Sequence, residues 1–169
     1  MPSMGIYSYE LFHFYGVETI VRVGSAGALQ DDLNIGDLVV AAGCSSFTRY
    51  LDQFGTPGAF APLGNFELAA AAVKAAREKG FRCVAGNVLS SDTFYDDDPD
   101  FLRKWQRMGV LAVEMETAAL YANAARAGKR ALGIFTVSDC PFKGLATTAE
   151  QRQTAFTGMV ETALELLNG

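Results

Sequence analysis

The sequence is short of the features that mark secreted, membrane-spanning or nucleic-acid-binding chains. It has three cysteines, Cys44, Cys83 and Cys140, too scattered to form any C-x-x-C pair. An odd, widely spaced set of thiols suggests neither a disulfide framework nor a zinc site, so a reducing cytoplasm is expected and no metal. No apolar run approaches the roughly 20 residues needed to cross a bilayer, and the opening MPSMGIYSYE lacks the basic and apolar regions of a signal peptide. No membrane partner follows from this. Basic residues are also few: 14 Lys and Arg face 19 Asp and Glu, for a net charge of -5 and a pI near 4.8. Without a basic patch the chain has no surface for a phosphate backbone, which excludes nucleic acid and favours small molecules. Repeats, low-complexity tracts and Pro/Ser-rich linkers are missing too. Nothing divides the 169 residues, and one domain over 1–169 is expected.

What the chain does have is apolar periodicity that alternates between two forms. TIVRVG (19–24), DLVVAAG (37–43), RCVAGNVLS (82–90), GVLAVEM (109–115) and RALGIFTVSD (130–139) are short and rich in Val, Ile and Leu, as doubly buried strands should be. Between them, NFELAAAAVKAAREKG (65–80) predicts a helix with Asn65 as N-cap and Gly80 as its stop. Further helices are predicted over 3–15, 100–107, 117–127 and 148–167, with long loops over 44–64 and 90–99. The expected fold class is α/β: a mixed, largely parallel sheet flanked by helices. Ligands of such sheets bind beyond the carboxyl ends of strands.

Three groups of useful side chains fall at predicted strand ends: Arg22 and Ser25 in RVGSAG, Glu114 and Glu116 in VEME, and Ser138 and Asp139 in VSD. A cation, a hydroxyl and glycines suit an anion, although a tight turn with Arg22 in a structural ion pair explains the same residues. The two glutamates have period-2 spacing and face one side while the strand lasts, or they are acids at a helix N-terminus. Asp139 is either a general acid or an N-cap.

RVGSAGAL, LSSDTFY, VEMETAALY, TVSDCP and TTAEQRQTAF occur in the order and near the spacing of the bacterial hexameric purine nucleoside phosphorylases, which the whole chain resembles. The resemblance implies phosphorolysis of purine nucleosides to base and (deoxy)ribose 1-phosphate, with phosphate as co-substrate, no other cofactor, and a homo-oligomer built from dimers. Carried over position by position, it implies phosphate binding by Arg22, Gly24, Ser25 and Gly27. The nucleoside would meet Phe94, Val113, Glu114, Met115, Glu116 and Ser138, with Glu116 on the ribose hydroxyls. Asp139 and Arg152 would be catalytic, the aspartate hydrogen-bonding or protonating purine N7. Asp139 favours purines over the pyrimidines of the related uridine phosphorylases, and Arg22 favours phosphorolysis over the hydrolysis of the related nucleosidases.

The chain departs from the family pattern at its start, because Met1 to Gly5 correspond to a helix well inside the family's chain. About the first quarter of the pattern has no counterpart, including sheet strands and part of the phosphate site. His13, the single histidine, matches none of the family's and is expected to be structural. An unpaired sheet edge is expected. Two alternatives to phosphorolysis follow: a catalytically incomplete protein that folds and binds purines, or a purine nucleoside hydrolase.

Overall fold

The structure, a computed structural model, describes residues 1–154 and 156–167, without the side chains of 152–154. It is an α/β fold in which six strands form one mixed sheet: β1 Thr19–Ala28, β2 Leu38–Phe47, β3 Cys83–Ser91, β4 Ala112–Glu114, β5 Arg130–Cys140 and β6 Leu145–Ala146. The two longest ladders, β1 with β5 and β2 with β3, are parallel, as is β3 with β4. β1 meets β4, β2 meets β5 and β5 meets β6 in antiparallel fashion. Because β1 reaches both β4 and β5, five of the strands close on themselves. That closure rests on Gly27 and Ala28 alone, and along 19–26 the outer edge of β1 has no strand partner among the described residues.

Helices cover both faces. α1 Pro2–His13 and α4 Thr117–Ala127 lie on one side, where Val39, Ala41, Val88, Leu120, Tyr121, Phe135 and Val137 make the larger core. α2 Phe66–Glu78 and α6 Thr157–Glu165 cover the other, over Leu38, Val40, Leu132 and Ile134. α3 Phe101–Arg107 closes a small apolar cluster around Leu29, Leu89 and Val110. The expected caps of α2 are present: the Asn65 side chain accepts from the Leu68 N–H at 3.0 Å, and Gly80 follows the helix with φ of 84°.

Several boundaries differ from the periodicity reading, each for a local reason. β1 runs on through Ser25–Ala28 instead of turning at Gly24, because β5 continues to hydrogen-bond it. Small residues lower the intrinsic strand preference of that stretch without preventing pairing. β2 similarly extends to Phe47, and the loop beyond it contains a 3-10 helix over Tyr50–Phe54. β4 is only three residues long, since Gly109 adopts φ of 76° before it and the chain turns into α4 after Glu114. The single helix expected over 148–167 is instead α5 Ala149–Thr154 followed by α6, preceded by β6.

Tyr121 ties the sheet to α4. Its buried hydroxyl donates to the Ala41 carbonyl at 2.5 Å and accepts from the Gly133 N–H at 2.8 Å. Tyr121→Phe removes the hydroxyl that both backbone groups bond. It is expected to destabilise the fold by roughly 1–3 kcal/mol, read from the denaturant midpoint. An unchanged midpoint would show that the two groups find other partners.

Candidate active site

The VEME segment sits where β4 ends and α4 begins, and its two glutamates have different surroundings. Glu114 is buried, with its side chain 1% exposed. Its carboxylate accepts hydrogen bonds from the Ser90 hydroxyl, from the Glu116 N–H at 2.9 Å, and from the Thr117 N–H at 3.1 and 3.0 Å to its two oxygens. The Ser90 hydroxyl in turn accepts from the Ala118 N–H at 3.0 Å. The first turn of α4 therefore has its free N–H groups met by a carboxylate and a hydroxyl, with the anion at the positive end of the helix dipole. Glu116 occupies the N-cap position of α4, and its side chain is 32% exposed. One of its oxygens accepts from Arg22, and the other takes no hydrogen bond from a described residue.

Arg22 joins the two carboxylates from the middle of β1. One guanidinium nitrogen donates to Glu116, and the other, Nη1, lies 3.5 Å from Glu114. The guanidinium carbon sits 4.9 Å from the centre of the Phe135 ring, a cation–π contact that covers one face. Gly24 makes this path possible: a Cβ there would stand 2.9 Å from Nη1. The Arg22 side chain is only 15% exposed, so its charge is largely screened from water and shared between two carboxylates.

A second group lies beside it, where β4, β1 and β5 run side by side. Gly27 is in register with Val113 on one side and with Asp139 on the other, at the shift in the β1–β5 ladder. The Ser138 hydroxyl donates to Asp139 Oδ1 at 2.7 Å, which fixes the carboxylate. A Cβ on Gly27 would meet Asp139 Oδ2 at 2.7 Å and Val113 Cγ1 at 3.4 Å. Gly27→Ala is expected to push the Asp139 carboxylate out of this position in a crystal structure while leaving the fold intact. An undisturbed Asp139 there would show that the contact is slack.

Arg22, Gly24, Glu114 and Glu116 thus form one group, and Gly27, Val113, Ser138 and Asp139 an adjoining one. Met115 is half-buried between the two glutamates, and Ser25 is exposed farther along β1. Phe94 stands apart, 75% exposed and packed edge-on against Tyr95 with ring centres 4.9 Å apart. The side chain of Arg152 lies outside the described residues. The tight turn offered as one reading of RVGSAG is absent: the segment is extended, and neither Gly24 nor Gly27 has a positive φ. Sequence reasoning missed Ser90, although LSSDTFY contains it, because a serine at a strand end has many uses. It also missed that Gly27 borders Asp139, which only strand register reveals. Cys44, 3.1 Å from the Ser90 hydroxyl, is unreactive in character: burial, followed by the Glu114 charge, pushes its thiol up to about 12.

Comparison with known proteins points the same way. The model of the phosphorylase superfamily matches residues 1–168. A purine nucleoside phosphorylase of the DeoD type from Geobacillus sp. (strain WCH70) is 46% identical over 165 residues, covering 98% of this chain and 70% of that protein. A second, from Bacillus cytotoxicus, is 46% identical over 166 residues with the same coverage. Among solved structures, the P. knowlesi homolog of P. falciparum PNP superposes with a TM-score of 0.79 at 27% identity, covering 95% of this chain and 65% of that one. A match over nearly every residue, on a fold shared with a solved relative, means that the chain belongs to the phosphorylase superfamily.

Proposed function

We propose that the chain cleaves purine nucleosides by phosphorolysis. Inorganic phosphate attacks C1′ of the sugar, the C1′–N bond breaks with its electron pair passing to the purine, and the products are free base and (deoxy)ribose 1-phosphate. The observation that carries this reading is Arg22 held between two carboxylates, one of them half-exposed, beside a fixed Asp139. A displaced anion site, a diol acceptor and an acid are the three elements the reaction needs.

In this reading phosphate takes the Arg22 guanidinium, helped by Gly24, Ser25 and Gly27. The ribose hydroxyls donate to Glu116, replacing its bond from Arg22. Phe94, Val113 and Met115 offer apolar area to base and sugar. Ser138 holds Asp139 so that its carboxyl group meets purine N7, where charge develops as the bond breaks. Arg152, on α5, closes on Asp139. The reaction takes phosphate as co-substrate and no metal or organic cofactor. Support for the purine comes from the names of the two curated relatives described above, both purine nucleoside phosphorylases.

The protein is further proposed to be a cytoplasmic homo-oligomer. Three free cysteines fit a reducing compartment, and among the described residues no helix is long and apolar enough to cross a membrane. Ile6, Tyr7, Phe14 and Tyr15 are each more than half exposed on or just after α1, an apolar surface that association would cover.

The test is release of base from inosine and adenosine with and without phosphate. Release that requires phosphate supports phosphorolysis. Release that ignores it would replace the reading with hydrolysis, and binding without release with an incomplete phosphorylase.

A further inference from the structure

We infer that Glu114 is a positioning residue, whose buried carboxylate fixes Arg22 and the entry to Glu116 and makes no contact with the nucleoside. The inference rests on the phosphorolytic reading of Arg22 and Glu116 and divides the labour between the two glutamates of VEME. Its basis is the number of donors already committed to Glu114. A carboxylate has about four acceptor sites. Here they serve the Ser90 hydroxyl, the Glu116 N–H and the Thr117 N–H, the last reaching both oxygens. At 1% side-chain exposure no solute reaches what remains.

Glu116 differs on each point. It is 32% exposed and has one oxygen free of hydrogen bonds from the described residues. Only this glutamate can turn to a sugar diol without leaving buried donors stranded. Glu114 acts on it through two links. Through the backbone, it holds the N–H of Glu116 itself and so sets where α4 starts. Through charge, it stands 3.5 Å from Arg22 Nη1, a buried nitrogen with no hydrogen-bond partner among the described residues. That nitrogen is kept in place by attraction to Glu114 and by the Phe135 ring. If the Glu114 charge goes, that nitrogen loses the attraction that sets the guanidinium for phosphate.

Glu114→Gln tests this. The amide preserves the shape and removes the charge that faces Arg22, while its NH2 can donate to the Ser90 hydroxyl and its oxygen still accepts from the helix N–H groups. The expected result is a selective rise of the KM for phosphate by about tenfold, with the KM for inosine within about twofold. A purely structural role would move kcat and melting temperature without that split. A direct nucleoside contact would raise the inosine KM instead, and that outcome overturns the inference. A crystal structure of the variant gives a readout independent of activity. Arg22 is expected to leave its place between the glutamates, and an unmoved Arg22 overturns the inference. Glu114→Asp, which keeps the charge but withdraws it, serves if the glutamine variant does not fold. It is expected to raise the phosphate KM less and to shift Arg22, and an unchanged KM with an unshifted Arg22 counts against the inference. If the unsubstituted protein shows no phosphate-dependent cleavage, the phosphorolytic reading fails on its own, and the placement of Arg22 in the variants still decides the positioning role.

Discussion

Replacing Asp139 with alanine is expected to lower kcat for inosine and adenosine by roughly 10²–10⁴, the range of a lost general acid. The fold should survive, because Asp139 is half-buried at the end of β5 and its side-chain partner among the described residues is the neighbouring Ser138 hydroxyl. The KM for phosphate should hardly move, since Arg22 contacts Glu114 and Glu116 and not Asp139. The loss arises from the leaving group: without a donor at N7, negative charge builds on the purine in the transition state with nothing to receive it. A nucleoside analogue with a good leaving group needs no such proton and should be spared. Steady-state kinetics with both substrate types check this, and equal loss on both would mean that Asp139 serves the structure of the site and not the departing base.

Replacing Arg22 with methionine is expected to be costly twice over. Phosphate-dependent cleavage should fall by about 10²–10³, the size of effect seen when one charge-stabilising donor is removed. The fold should also weaken, by up to roughly 3–5 kcal/mol, as for a buried ion pair that loses one partner. The donors that Glu114 keeps from Ser90, Glu116 and Thr117 bring that figure toward the lower end. The two losses separate experimentally. Thermal unfolding reads the second, and activity measured well below the unfolding range reads the first. Coupling between them gives a further check: Glu114→Gln placed on Arg22→Met should recover part of the stability, because an uncompensated buried charge is then removed. No recovery would mean that Arg22 does not stabilise through Glu114.

Much of this architecture is legible in the sequence, and the exceptions have physical causes. The Val/Ile/Leu runs of β1, β2, β3 and β5 and the Asn65 and Gly80 signals around α2 are local, so spacing alone finds them. β1 beyond Gly24 is not local. Its small residues read as a turn, and only the ladder with β5 keeps them extended. The break between α5 and α6 is likewise absent from the apolar pattern, which continues across it. Along 19–26 the outer edge of β1 has no strand partner among the described residues, because its ladder with β4 covers Gly27 and Ala28 alone.

For the site, composition and spacing stop at two glutamates with two readings each. The resemblance adds names for their tasks but gives both to the nucleoside. What separates them is tertiary: Arg22 and Glu116 are 94 positions apart, and Ser90 reaches Glu114 across 24. The carboxylates in the apolar VEME run are tolerated because helix N–H groups, a serine and an arginine receive them. No single-sequence pattern encodes that set of partners.

The central claim is that phosphate is the nucleophile, and phosphorus NMR of the protein with inosine and inorganic phosphate tests it most directly. The account predicts that the phosphate signal declines as a ribose 1-phosphate signal grows, in step with release of hypoxanthine. Hypoxanthine and free ribose appearing beside an unchanged phosphate signal would contradict it.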